Sequence, residues 1–118
     1  MYEYVAKITR VVDGDTVDAD VDIGFNVHVQ ERFRLYGINT PEVHSKDQKE
    51  KVAGEAAKTR LMGLVLGKVV AIKTMKDDQE KYGRYLATLV TDDKVNVNDL
   101  LVKEGLAKPY FGVGQKPI

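Results

Sequence analysis

Asp15, Arg34, Glu42 and Arg84 are the side chains whose types and neighbours in this sequence could carry chemistry. Asp15 shares the parity of Val17 and Ala19, so it extends an apolar row instead of joining the polar row of Asp18, Asp20 and Asp22. A carboxylate there must be solvated at an element's end, paired or bound to a metal, because burying one alone is costly. The simpler alternative is a local turn, Asp13-Gly14-Asp15-Thr16, with its carboxylates bonded to nearby amides. Arg34 lies between Phe33 and Leu35 and so faces away from both, and Glu42 follows Pro41 a few residues on. An arginine on a strand and a glutamate past the strand's exit can meet in one cleft. The guanidinium suits phosphate because its planar fork donates two parallel hydrogen bonds and stays charged. A surface ion pair, which contributes little, would use the same two residue types. Lys81-Tyr82-Gly83-Arg84 is either a hydrophilic turn, or a phosphate ligand at Arg84 beside a ring on which a base stacks. Tyr110 and Phe111 either add a second aromatic surface or anchor the end of the chain, while His28 and His44 show no ligand spacing and read as surface residues.

The elements that must position these groups follow from periodicity. Residues 4–12 read as a strand ended by the turn dipeptide Asp13-Gly14. Val17, Ala19, Val21 and Ile23 alternate with three aspartates, which makes a second strand with one wet face. Val27, Val29, Phe33 and Leu35 give a third, with an irregularity expected near Glu31. From Gly54 the period becomes helical, with Ala53, Ala57, Leu61 and Leu64 on one face and Gly67 as the stop. Residues 69–75 and 85–91 return to strand. Asn96 caps a short helix running through Leu101, with Asp99 in its first turn and Gly105 at its end, and the tail from about 109 reads as extended. The expected class is mainly β (α+β). Five strands with a helix between the third and fourth, and a short helix near the C-terminus, match the order of an OB-fold barrel.

Composition narrows the chemistry. A length of 118 residues fits one domain, 1–118. With no cysteine, disulfides, thiolate metal sites, iron–sulfur clusters and cysteine nucleophiles are excluded. Eighteen Lys and Arg balance eighteen Asp and Glu, so any polyanion must be held by a local arrangement and not by a bulk field. The longest apolar run falls far short of the ~20 residues that span a bilayer. Charges at Glu3, Lys7 and Arg10 interrupt any signal-peptide core, so a soluble cytoplasmic protein without a membrane partner is expected.

Taken together, VVDGDTV (11–17), FRLYGINTPE (33–42), GEAAKTRL (54–61), KYGRYLA (81–87) and VNDLLVKEGLAK (97–108) resemble the staphylococcal nuclease (thermonuclease) family, in the family's order. The resemblance implies an OB-fold nuclease that uses one calcium ion to hydrolyse phosphodiester bonds in DNA, RNA or both. By that resemblance Asp15 is the principal metal-ligating aspartate, and Thr40 gives its main-chain carbonyl to the metal. Glu42 is the general base, Arg34 and Arg84 bind phosphate, and Lys81 and Tyr82 contact the nucleotide. The family's second metal-ligating aspartate is Asn39 here, which keeps a carbonyl oxygen and loses a charge. Weaker calcium binding, or reliance on substrate phosphate to complete the shell, is therefore expected. The loop between the second and third strands is longer than in the type member. The family's C-terminal helix has no counterpart, and its two nucleotide-pocket tyrosines are only loosely matched by Tyr110 and Phe111. A monomer acting on single-stranded or frayed nucleic acid is the expected form, and a phage or mobile element would suit so small an enzyme. The alternative is a catalytically weak or inactive module of the same fold that binds nucleic acid or a protein ligand.

Overall fold

The computed structural model describes residues 2–74 and 85–110. Its elements in chain order are β1 (Tyr2–Asp13), β2 (Thr16–Asp22), β3 (His28–Leu35), β4 (Ile38–Asn39), α1 (Gln48–Val65), β5 (Val69–Thr74), β6 (Tyr85–Val90), α2 (Val97–Lys103) and β7 (Lys108–Pro109). Five strands close into a barrel in the order β1-β2-β3-β6-β5, all neighbours antiparallel except β3 and β6, which run parallel. This is the expected OB-type barrel. Closure removes the unpaired sheet edges that would otherwise invite association. The two short strands β4 and β7 pair separately, Asn39 opposite Lys108, so the segment that begins the expected tail is tied back beside the exit of β3.

The barrel interior is filled by the rows that alternation picks out. Val17, Ala19 and Val21 of β2 meet Ala6, Ile8 and Val11 of β1, and Phe33 and Leu35 of β3 meet Ala87 and Leu89 of β6. The irregularity lies in β1 and not near Glu31. Pairing of β2 with β3 is unbroken from Thr16 opposite Arg34 to Asp22 opposite His28, whereas β1 shifts register between Ile8 and Arg10 and again between Val11 and Asp13. An extra residue at each shift bends the strand. The buried side of β1 accordingly changes from even positions (Ala6, Ile8) to an odd one (Val11). Beyond Asp22 the β2–β3 hairpin turns through Gly24, Phe25 and Asn26, all with positive φ, and Asp22 Oδ1 accepts a hydrogen bond from Gly24 N at 2.8 Å.

Helix α1 starts earlier than its apolar spacing suggests. Asp47 caps it by accepting from Lys49 N, and Glu50 sits in the first turn, so the polar stretch 48–52 is helical despite carrying no core residue. The buried stripe is Gly54, Ala57, Leu61 and Val65, with Ala53 exposed and Leu64 half-buried. Gly67, with φ 74°, follows the helix as its C′ residue. In α2, Asn96 caps by accepting from Asp99 N, and Gly105 at φ 79° follows the C-cap.

Gly54 and Gly14 are the points of closest approach. A Cβ on Gly54 would lie 2.8 Å from the Glu42 carbonyl carbon, 2.8 Å from Pro41 O and 2.9 Å from Val43 N. A Cβ on Gly14 would lie 2.7 Å from Ala57 Cβ and 3.0 Å from Thr40 Oγ1. The helix is thus pressed against both the β1–β2 turn and the segment after β4. Replacing Gly54 by Ala adds helix propensity worth about 1 kcal/mol, but the atoms met are main chain and cannot rotate away. Gly54→Ala is expected to lose about 1–3 kcal/mol in urea denaturation; unchanged or increased stability would show that α1 does not brace residues 41–43.

Candidate active site

The β1–β2 turn, the end of β3 and the segment leaving β4 meet at one end of the barrel. Asp15 lies in the β1–β2 turn, the simpler of the two alternatives, and is buried there beside Thr16, which is of the opposite parity and buried too. Its Oδ2 accepts from Thr40 N at 3.1 Å, its Oδ1 accepts from Thr16 Oγ1 at 3.1 Å, and its carbonyl accepts from Leu35 N at 2.8 Å. The carboxylate is therefore desolvated yet bonded, with bonds to a charged acceptor contributing roughly 1.5–3 kcal/mol each.

Arg34 comes to the same point from β3. Its Nη2 donates to Asn39 Oδ1 at 3.2 Å and lies 3.8 Å from Asp15 Oδ2. The Tyr110 ring lies against the guanidinium, 5.3 Å from Cζ to ring centre, and Tyr110 is itself fixed by its N–H donating to Gly37 O at 2.8 Å. Asp15, Arg34, Asn39, Thr40 and Tyr110 are thus brought together.

Glu42 is exposed and reaches the group electrostatically through Asp13, which sequence reasoning treated only as part of the turn. Burial pushes the Asp13 carboxyl above the ordinary carboxylate range, and the neighbouring charges of Asp15 and Glu42 push it further, against opposing pulls from His44 and Lys58. Asp13 Oδ1 and Thr40 Oγ1 are both buried and, among the described residues, without a hydrogen-bond partner. Lys81, Tyr82 and Arg84 lie outside the described residues, as does Phe111.

Asn98 is a second residue the sequence reading passed over. It is buried on the same face of α2 as Leu101, accepts from Leu89 N at 3.2 Å, and donates to Tyr36 O at 2.8 Å and Ala87 O at 3.0 Å. It fastens α2 to β6 and to the chain just past Arg34. An asparagine three residues before a core leucine, inside an apolar stripe, was the available signal. On the aspartate row of β2, Asp18 binds Arg32 at 2.6 and 3.0 Å, while Asp20 Oδ1 lies 3.3 Å from His28 Nδ1 without a hydrogen bond among the described residues. Those hydrogen bonds hold the Asp18 carboxyl below its usual range.

The donor set fits a hard divalent cation. Asp15, Asn39 and Thr40 carry the carboxylate, amide and main-chain carbonyl oxygens such an ion takes, the side-chain ones engaged by Thr16, Thr40 N and Arg34, in a place where Asp13 and Glu42 add negative potential. Among the described residues no group of three or more His, Asp or Glu side chains could hold an ion alone.

Residues 32–117 match a family model described as Staphylococcal nuclease homologue, about three-quarters of the chain. The chain belongs to the staphylococcal nuclease family. It is 32% identical over 109 residues to a thermonuclease of Staphylococcus hyicus, covering 92% of this chain and 61% of that protein. It is 34% identical over 104 residues to a thermonuclease of Staphylococcus intermedius, covering 88% and 58%. A third relative, the SPbeta prophage-derived endonuclease YokF of Bacillus subtilis, is 35% identical over 105 residues, covering 88% of this chain and 33% of its own length. The chain thus spans about three-fifths of the two thermonucleases. The family match begins at residue 32, within β3, so the Asp13–Asp15 turn falls outside it and stands on its own geometry and on the relatives.

The raised Asp13 carboxyl carries a stability consequence. In the folded protein it holds its proton to higher pH than in the unfolded chain, so its ionisation opposes folding as pH rises through that window. In chelator, Asp13→Asn is expected to be more stable than wild type at neutral pH, with the gap closing below the ordinary carboxylate range. Urea melts across pH check this, and equal stability at neutral pH would contradict it.

Proposed function

We propose that the protein is a metal-dependent nuclease that hydrolyses phosphodiester bonds of DNA or RNA. The observation that carries this reading is the convergence of buried Asp15 with Arg34, Asn39 and Thr40 at one end of the barrel. In such hydrolysis negative charge grows on a five-coordinate phosphorus while water attacks in line, and a calcium ion held by Asp15, Asn39 and the Thr40 carbonyl would supply positive charge to a phosphate oxygen. Arg34 binds an equatorial oxygen as a donor already fixed in position, which makes it worth more than a solvated one. Arg84 immediately precedes β6, the strand that pairs with Arg34's own strand, and is assigned to a second oxygen. Glu42, exposed at the site's edge, accepts the proton of the attacking water. Tyr82 and Lys81 seat the adjoining nucleotide, and Tyr110 flanks it beside Arg34.

Asn39 is the observation that favours a second reading, a binding module that has lost hydrolysis, since the site has one formal charge fewer than its family's. One experiment separates the two. Purified protein with calcium is expected to cleave single-stranded DNA, to stop in chelator, and to lose about 10²–10⁴-fold in rate as Glu42→Gln. Retarded mobility of the DNA without cleavage would support the binding module instead. Cleavage unchanged in Glu42→Gln would remove Glu42 as the base.

A further inference from the structure

We propose that Arg34 serves as the site's own counter-cation, occupying the side-chain oxygens that a metal ion would use and leaving them when a substrate phosphate takes its guanidinium. This regulation rests on the reading of the site as a metal-dependent hydrolase.

The two side-chain oxygens assigned to the ion are Asn39 Oδ1 and the Asp15 carboxylate. Arg34 Nη2 donates to the first at 3.2 Å and approaches Oδ2 of the second at 3.8 Å. The Arg34 and Asp15 side chains are only 11% and 12% exposed, so water screens this pair little. Tyr110 packs against the guanidinium, and the β4–β7 ladder holds that ring in place. A divalent ion bound to the same oxygens would stand within a few ångströms of a fixed positive charge, and the two would repel. Position 39 sharpens the conflict: an aspartate could hold both cations by charge, whereas an amide has one dipole to divide between them.

A phosphate resolves the conflict. It matches the guanidinium fork better than a single amide oxygen does, and it brings its own negative charge. Drawing Arg34 onto the phosphate frees Asn39 Oδ1 and removes the positive charge facing Asp15 Oδ2, which keeps its bond from Thr40 N. Substrate and calcium then bind cooperatively, each raising the other's affinity by the same factor. The empty enzyme holds calcium weakly and assembles its site on the substrate.

The test measures calcium binding by calorimetry on chelator-stripped wild type, Arg34→Gln and Asp15→Asn, without nucleic acid. Arg34→Gln is expected to bind calcium about tenfold more tightly than wild type, the size of one charge-assisted hydrogen bond. Asp15→Asn is expected to lose binding. In wild type, the Arg34 Nε–H resonance, shielded by the Tyr110 ring, should move towards its free position as calcium saturates. This reading separates displacement from simple charge removal and needs no variant to fold. Equal or weaker binding by Arg34→Gln, or an unmoved Nε–H signal at saturation, overturns the proposal while leaving the metal site standing if Asp15→Asn loses binding. Asp15→Asn binding like wild type, or no binding by any form, overturns the site reading and this proposal with it.

Discussion

The structure turns on how a carboxylate is kept at the inner end of an apolar barrel. Asp15 is buried in the β1–β2 turn, just before Val17 and Ala19 enter the core, where an uncompensated charge would cost more than a small fold can bear. It is tolerated because Thr40 N and Thr16 Oγ1 donate to its two oxygens and Arg34 stands 3.8 Å away. Those partners come from separate elements. Bonding Asp15 therefore fixes the β1–β2 turn against the end of β3 and the exit of β4, and that junction is the candidate site.

Close backbone contact makes the junction rigid. Gly14 lets Ala57 and Thr40 approach the turn, and Gly54 lets α1 rest on the main chain of 41–43. Asn98 ties α2 to the chain just past Arg34 by bonding the Tyr36 and Ala87 carbonyls. The Pro41–Glu42 segment is thus braced by α1 and the chain just past Arg34 by α2. Positioning a charged group in advance of the reaction is what gives it more effect than it would have in water. On the acidic row of β2, Asp18 is matched by Arg32 on the neighbouring strand.

Much of this was legible in the sequence. Alternation around Val17–Val21 gave β2 and its buried side, and Asp15's parity marked it as misplaced for a surface acid. Both helix stops stood at glycines that take positive φ. What escaped reading depends on contacts distant in the chain or on signals other than periodicity. The start of α1 is set by the Asp47 cap with Glu50 three residues on, in a polar stretch with no apolar period. The β1 register shifts have no residue signature, and the expected irregularity near Glu31 was a polar residue half-buried within a regular ladder. Asn39 was readable as a lost charge, but its bond to Arg34 required the turn between β3 and β4 to fold the chain back on itself. Tyr110 reached Arg34 only through the pairing of β7 with β4.

The account makes one spatial claim above all: ion, phosphate and Asp15 share a single pocket at the barrel's end. Diffraction from crystals of the Glu42→Gln protein grown with a terbium ion in place of calcium and a short 5′-phosphorylated deoxyoligonucleotide tests it most directly. The account predicts an anomalous peak about 2.3–2.6 Å from oxygens of Asp15 and the Thr40 carbonyl, with a phosphate held by Arg34 beside it. A peak on the outer aspartate row, or a phosphate bound away from Arg34, would contradict it.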